Sequence, residues 1–200
     1  MNFIDLTMEP GVKSGLKDIL SELRQELRVD YRLQVNGESY LAAKLIFPQF
    51  YEEAVENTPA RIISSRTHGS GHFYRYSFDG KEIKFRDYDS QFHNMVLLDR
   101  ETLCAEMALN RMRYPYGLSR EHQEQYQEYI NEHNVTAAGL ALKAHDMELL
   151  KWVLSCADFS REDLERSVEA ADRCGNTEGL SFLMDYRHEH FKPRRKTFEL

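Results

Sequence analysis

The sequence predicts an α+β protein in which an N-terminal helix and a small antiparallel meander sheet precede an all-helical C-terminal part. Apolar residues recur at helical spacing between Val12 and Leu27. A run of strand-forming residues, 72–78, leads into Asp79-Gly80, a preferred two-residue hairpin turn. From Asp99 onward the apolar residues again follow helical spacing. Strands followed by a series of helices indicate an α+β fold rather than an alternating α/β fold.

The composition is that of a globular protein large enough to bury a core. Of the 200 residues, 42% are hydrophobic and 30% are charged, and the net charge is −7. No apolar run approaches the roughly 18–20 residues that a membrane span needs. The first residues lack the basic and then apolar pattern of a signal peptide. We therefore expect a cytoplasmic protein with no membrane partner.

The N-terminal elements follow from spacing and turn signals. Pro10-Gly11 marks the entry of the first helix, and Asn36-Gly37 indicates a turn. The apolar stretch 39–47 is compatible with either a strand or a helix. After Pro48, residues 49–56 are expected to form a short helix.

Three strands are predicted to form the meander. They cover 61–67, 72–78 and 81–86. With Asp79-Gly80 as the turn, Phe78 would face Lys81 and Tyr76 would face Ile83, which places apolar residues on one face.

Two further helices are predicted at 99–113, capped by Asp99, and at 119–133, capped by Ser119. The predicted organisation is an α+β unit at 1–98, a helical unit at 99–191 and a basic tail at 192–200.

Two C-terminal segments align without gaps at an offset of 30 residues. They are 136–154 and 166–184, within predicted hairpins at 136–157 and 161–190. Ala141 matches Ala171, and Glu148 matches Glu178. Small residues let paired helices approach closely, and a glutamate near a helix start is favoured by the helix dipole. A period near 30 with this layout is typical of stacked repeats.

These segments, 136–187, resemble degenerate ankyrin repeats. The common features are Thr136 at the start of the first hairpin, the turns His145-Asp146 and Gly175-Asn176, and the glutamate that opens each second helix. The connection 155–160 is too short for the projecting turn of an ankyrin repeat. The resemblance implies a helical scaffold that binds another protein. The N-terminal hundred residues resemble no known family.

The loop 66–72 carries the most enzyme-like string, in which glycines lie between His68 and His72. Glycines can expose backbone N–H groups to a phosphate, and histidines can transfer protons. A strand follows this loop in the prediction, so the string is not a phosphate-binding fingerprint. The structural alternative is a hairpin loop that needs glycine for positive φ.

The second face of the predicted sheet is basic. Basic residues interleaved with an aromatic are typical of nucleic-acid binding, and a solvated sheet face is the alternative. Together with the two histidines, this face gives the candidate binding residues Arg66, His68, His72, Phe73, Arg75, Lys84 and Arg86.

The sequence indicates no catalytic residues, metal site or cofactor. Cys104, Cys156 and Cys174 have no metal-ligand spacing and are expected to pack as small apolar residues. We therefore expect a non-enzymatic regulatory protein, an adaptor or an inhibitor, whose partner is another protein. The first alternative is binding of nucleic acid or a nucleoprotein complex. The second is an enzyme that uses the His68–His72 loop. The oligomeric state is not indicated.

Overall fold

The computed structural model describes residues 2–9, 15–57 and 62–191. The chain divides into two compact units, Met1–Tyr126 and Gln127–Leu200. The first unit contains strands and helices, and the second is helical, which confirms the α+β fold class. The division falls within a helix, Arg120–Glu132, whereas the sequence prediction placed it at 98/99.

A three-stranded sheet forms the centre of the first unit. Its strands are β1 (Asn2–Met8), β2 (Leu27–Val35) and β3 (Glu38–Phe47). β1 runs parallel to β2, and β2 pairs antiparallel with β3. The Asn36-Gly37 turn joins β2 to β3 with positive φ at both residues, as predicted for a hairpin turn. The undecided stretch 39–47 is therefore a strand.

The first helix is shorter than predicted. It is α1 (Leu16–Glu22), and Leu27 instead begins β2. From Leu27 the side chains alternate in burial, and Leu27, Val29 and Leu33 are buried. This period of two fits a strand, and sheet pairing prevails over the helical spacing of the preceding residues. Val12, at the predicted start, lies outside the described residues.

A separate two-stranded ribbon follows the sheet. It consists of β4 (Tyr51–Asn57) and β5 (Ile62–His68), paired antiparallel with Tyr51 opposite His68. The helix predicted at 49–56 is therefore wrong, because these residues pair with β5. The described side chains of residues 51–54 and 66–67 are exposed. Two strands without further support are only marginally stable.

The predicted meander does not form. Residues 71–74 are the short helix α2 (Gly71–Tyr74), so the strand predicted at 72–78 is wrong. Tyr74 is fully buried, with its ring 4.9 Å from that of Tyr88 and 6.4 Å from that of Phe47. Burial of this aromatic side chain in a helical turn outweighs the strand propensity of its neighbours.

The predicted hairpin at Asp79-Gly80 forms only as a short ribbon. Its strands are β6 (Phe78–Asp79) and β7 (Glu82–Ile83), and Phe78 faces Ile83 rather than Lys81. The register differs because Gly80, with φ of +58°, occupies the first central position of the turn.

The remaining helices of the first unit follow the ribbons in sequence, and the longest complete one among them packs against β3. They are α3 (Phe85–Ser90), α4 (Phe92–Leu98) and α5 (Glu101–Arg113), and α6 (Arg120–Glu132) begins in this unit. The helix predicted at 99–113 is confirmed as α5, but Asp99 does not cap it, since its N-cap is Arg100. The helix predicted at 119–133 is confirmed as α6.

A fully buried ion pair joins α3 to α5. Both Arg111 and Asp89 are 0% exposed, and their two hydrogen bonds measure 2.7 and 2.9 Å. The Tyr126 hydroxyl donates to Asp89 at 2.9 Å, and Arg111 also donates to the carbonyls of Tyr114 and Tyr116. This network is satisfied on both sides, as a buried charge pair requires. Burial raises the pKa of Tyr126, which keeps its hydroxyl a donor.

The second unit consists of two helical hairpins. The first pairs α7 (Asn134–Lys143) with α8 (Met147–Cys156), and the second pairs α9 (Arg161–Arg173) with α10 (Thr177–His190). The helical hairpins predicted at 136–157 and 161–190 match these elements. α7 packs against both α8 and α9.

The 30-residue repeat extends to the turn geometry. His145 and Gly175 are equivalent and take φ of +52° and +70°. The N–H groups of Asp146 and Asn176, the next residues, each donate at 3.0 Å to the buried alanine of their hairpin, Ala141 or Ala171. These are the bonds of a Schellman motif. The two side chains then cap α8 and α10, each at 2.8 Å from a backbone nitrogen.

Asn176 also joins the two hairpins. Its side-chain amide donates to the Leu142 carbonyl at 2.9 Å, and the residue is 3% exposed. A Cβ on Gly179, which Asn176 caps, would collide with the Leu142 side chain. The second turn is therefore fitted closely against the end of α7.

Candidate functional site

A cleft of about 840 Å³ opens in the first unit at the base of the β4–β5 ribbon. The cleft brings together the residue before β2, the base of the ribbon where β4 begins and β5 ends, and the junction between α4 and α5. Its lining residues are Glu26, Gln49, Tyr51, Thr67, His68, Gly69, Leu97, Leu98, Asp99, Arg100 and Leu103. A concave site that joins apolar and charged groups is the usual form of a binding site.

The floor of the cleft depends on glycine. Gly69 has φ of +83°, which an L side chain rarely adopts, and a Cβ there would collide with the Gln49 carbonyl. A Cβ on Gly71 would collide with the Pro48 carbonyl. The loop 69–71 therefore crosses the 48–50 backbone at close range. Gly69 has the positive φ that the structural alternative required, but the loop leads from β5 into α2, so the predicted hairpin loop is wrong.

The apolar rim of the cleft consists of leucines that the fold leaves exposed. At the end of α4, Leu97 is 77% exposed and Leu98 is 48% exposed. Tyr51, on the opposite side of the cleft, is 57% exposed. The two adjacent leucines therefore form an exposed apolar patch beside the cleft, the kind of surface found at interaction sites.

The charged side of the cleft is formed by Asp99 and Glu26. The Asp99 carboxylate accepts a hydrogen bond from the Ser70 N–H at 3.1 Å. Burial raises the pKa of Asp99 above its ordinary value, and the nearby Glu26 adds to this effect. Glu26 pairs with Arg28 at 3.0 Å and with the exposed Arg100 at 3.9 Å. The cleft thus contains a carboxylate that the fold desolvates.

His68 is the predicted site residue that lines this cleft. Its ring stacks on that of Tyr51 at 4.7 Å and lies 3.3 Å from the Glu53 carboxylate. His72 is instead in α2, where its Nδ1 lies 3.2 Å from the Gly69 carbonyl and its ring is 3.7 Å from that of Phe73. The two histidines therefore have separate surroundings.

The remaining predicted residues do not share a sheet face. Arg66 is exposed on β5 and Arg86 is exposed on α3. Arg75 follows α2, donates to the Leu23 carbonyl at 3.0 Å and lies 4.2 Å above the Phe50 ring. Lys84 pairs with Asp79 at 3.5 Å. The proposed basic face required a strand at 72–78, and the helix found there separates its members.

Sequence reasoning missed Tyr51, Leu97 and Leu98 as site residues. Leu97 and Leu98 end an apolar segment that reads as an ordinary buried helix, and only the structure shows that they point outward. Tyr51 was assigned to a helix. The Val96-Leu97-Leu98 run next to Asp99 is the one signal in the sequence that could have indicated an exposed apolar rim.

The three cysteines agree in part with the sequence prediction. Cys104 is buried, and burial raises the pKa of the Cys156 thiol. Cys174 is exposed at the end of α9, so its expected apolar packing is wrong.

Within the described ranges, no group of three or more His, Cys, Asp or Glu residues could hold a metal ion. No helix in the described part of the chain is long and apolar enough to cross a membrane.

Comparisons of the chain with family models, with curated proteins and with solved structures gave no significant match.

Proposed function

We propose that this protein binds another protein through the cleft and acts as a non-enzymatic adaptor or inhibitor. The exposed pair Leu97 and Leu98 is the observation that carries the proposal. Buried apolar anchors inside a polar rim supply most of the binding energy at protein interfaces. Here the two leucines and Tyr51 supply the anchors, and Asp99, Glu26 and Arg100 supply the rim.

The β4–β5 ribbon supports the same proposal. Its side chains at 51–54 and 66–67 are exposed, His68 is partly buried, and Tyr51 and His68 at the ribbon's base line the cleft. A ribbon of two strands gains stability when a partner packs on it. A partner seated in the cleft would contact the ribbon's base and the end of α4 together.

Nucleic-acid binding has less support than protein binding. Among the basic residues, Arg75 donates to a backbone carbonyl within the fold, Lys84 is in an exposed ion pair, and Arg66 and Arg86 lie on different elements. An enzyme based on His68 and His72 has less support too, because the two rings have separate contacts.

The experiment is capture of partners from an extract of the source cells with immobilised protein. Wild type is compared with the double variant L97S/L98S and with Y76S, which changes a residue 79% exposed and outside the cleft lining. We expect a specific protein to be retained by wild type and Y76S and lost with L97S/L98S. Loss of an anchor residue costs about 2 kcal/mol or more, a thirtyfold weakening.

Two results would overturn the proposal. One is retention of no protein by the wild type. The other is equal retention by all three proteins, which would show that binding does not use the leucines. Circular dichroism of each variant establishes that the fold is intact, and both substitutions remove exposed groups, so little loss of stability is expected.

A further inference from the structure

The two edges of the three-stranded sheet differ in whether their outward-facing backbone groups are hydrogen-bonded. At the β3 edge, the Tyr88 hydroxyl accepts from the Ile46 N–H at 2.9 Å and donates to the Ile46 carbonyl at 2.8 Å. The Tyr116 N–H reaches the Ala42 carbonyl of the same strand at 3.4 Å. Tyr88 of α3 and Tyr116 of the turn after α5 thus occupy hydrogen-bonding positions that another strand would use at this edge.

The β1 edge is open among the described residues. Asn2 donates its N–H to the Glu26 carbonyl, which shows that Asn2 and alternate residues after it face β2. Alternation then directs the N–H and C=O groups of Phe3, Asp5 and Thr7 away from β2. No described residue bonds to these six backbone groups. An unpaired edge is a template for an added strand.

The apolar side chains on the inner face of β1 are only partly covered by the rest of the core. Met8 packs with the buried Leu33 and Ala42, and Leu6 lies against this cluster. Ile4 and Leu6 nevertheless remain only partly buried, and in the described part of the chain no strand pairs with β1 on the side away from β2. Apolar residues at alternate positions of an added strand would cover both side chains.

The charge of the β1 edge indicates which charged side chains an added strand should carry. Within residues 2–9, Asp5 and Glu9 are the charged residues, and both are acidic. Asp5 is half-exposed, and its one ion pair in the described chain is with Arg32 at 2.9 Å. The residue opposite Asp5 on β2 is Asp30, a second carboxylate, which Lys44 of β3 approaches at 3.8 Å. A lysine or arginine opposite Asp5 would complement this charge.

The same carboxylate disfavours a symmetric pairing of two copies of β1. An antiparallel pair centred on Asp5 would place two carboxylates directly opposite each other, which is destabilising. A strand from another protein, with a cation at that position, has no such conflict.

We propose that β1 accepts an extended peptide segment of a partner protein as a fourth strand, with apolar residues facing Ile4 and Leu6 and a basic residue facing Asp5. Main-chain hydrogen bonds to Phe3, Asp5 and Thr7 supply affinity, and the alternate side chains supply specificity. The inference rests on the proposed protein-binding function but uses residues outside the cleft, so the L97S/L98S experiment and the one below fail independently.

The test uses the full chain and the synthetic peptide Thr-Val-Lys-Val-Lys-Val-Thr as the probe. Amide hydrogen exchange and chemical shifts are followed by NMR as peptide is added to about 1 mM, which detects even weak binding. In the free protein we expect the amides of Phe3, Asp5 and Thr7 to exchange fast and those of Ile4, Leu6 and Met8 to be protected. The peptide should slow exchange of the first three.

Controls separate strand addition from general adhesion. A peptide with the lysines replaced by glutamates should bind about fivefold more weakly to wild type, and D5K should reverse this preference. A peptide N-methylated on the amides that face β1 should not bind.

Three outcomes would overturn the proposal. The first is protection of the Phe3, Asp5 and Thr7 amides in the free monomer. The second is absence of binding at about 1 mM, or shifts elsewhere in the protein. The third is concentration-dependent protection with a doubled molecular mass, which would identify a second copy of this chain as the occupant.

Discussion

The buried charged residues of this protein are of two kinds. Some have their charge neutralised by a buried partner, and others have their ionised form disfavoured by burial. Arg111 and Asp89 show the first case, because the guanidinium donates to both Asp89 oxygens and to the carbonyls of Tyr114 and Tyr116. Asp99 shows the second, because burial disfavours its ionised form. Retaining a desolvated carboxylate in a cleft is typical of a site kept for binding rather than for stability.

Breaking the buried pair should be strongly destabilising. R111M leaves the Asp89 carboxylate without its counter-ion, and we expect a loss of about 3–5 kcal/mol in the free energy of unfolding of the first unit. The double variant D89L/R111M should lose less, because it removes both charges. Urea unfolding measures the free energy of unfolding of both variants. The control R120A removes one partner of an exposed ion pair, and its free energy of unfolding should change by less than about 1 kcal/mol. Equal losses for R111M and R120A would contradict this account.

Replacing Asp99 should stabilise the protein at neutral pH. In the folded state its pKa is raised, so the wild type loses stability as pH rises from near 4 through that pKa. D99N keeps an oxygen acceptor for the Ser70 N–H and lacks the charge. Its thermal midpoint should exceed that of wild type at pH 7 and equal it below pH 4. The exposed-site control D185N should stay within about 0.5 kcal/mol at both pH values. Lower stability of D99N at pH 7 would contradict the assignment.

At the scale of elements, the two helical hairpins show how sequence repetition becomes repeated geometry. Equivalent residues 30 positions apart form the same turn, the same cap and the same bond to a buried alanine. The turn residue itself differs, and histidine at φ of +52° is strained where glycine is not.

This difference gives a matched pair of substitutions. G175A should destabilise the second unit by about 1 kcal/mol, because alanine resists the left-handed conformation. H145G should stabilise it by up to about 1 kcal/mol by relieving that strain. The space around Gly175 is open, because an added Cβ there would contact nothing within 4 Å. Thermal unfolding of the full chain measures both effects, and changes of the same sign would contradict the assigned turns.

The sequence predicted the helical elements better than the strands. The helices at 101–113 and 120–132 and both hairpins follow from local periodicity and caps, which the chain carries within a few residues. The strand predicted at 61–67 does form, as β5. β1 depends on a pairing partner distant in sequence, β4 depends on pairing with β5, and the helix at 71–74 depends on packing of Tyr74. Local propensity cannot report such contacts.

The candidate site was predictable only in part for the same reason. His68 and the glycine loop were recognisable as a string within seven residues. The cleft itself combines residues from four segments between Glu26 and Leu103, and its leucines are unusual only in being exposed. Exposure is a property of the whole fold and not of the local sequence.

At the scale of the whole molecule, protein binding at the cleft is the central proposal. Photo-crosslinking, which identifies the proteins that lie next to a chosen residue, tests it most directly. A photo-crosslinking amino acid is placed at Leu97 in the full-length protein, and separately at Tyr76 as an equally exposed control outside the cleft lining. After irradiation in the source cells, we predict a discrete crosslinked protein from position 97 and none from position 76. No crosslink from position 97, or the same products from both positions, would contradict the proposal.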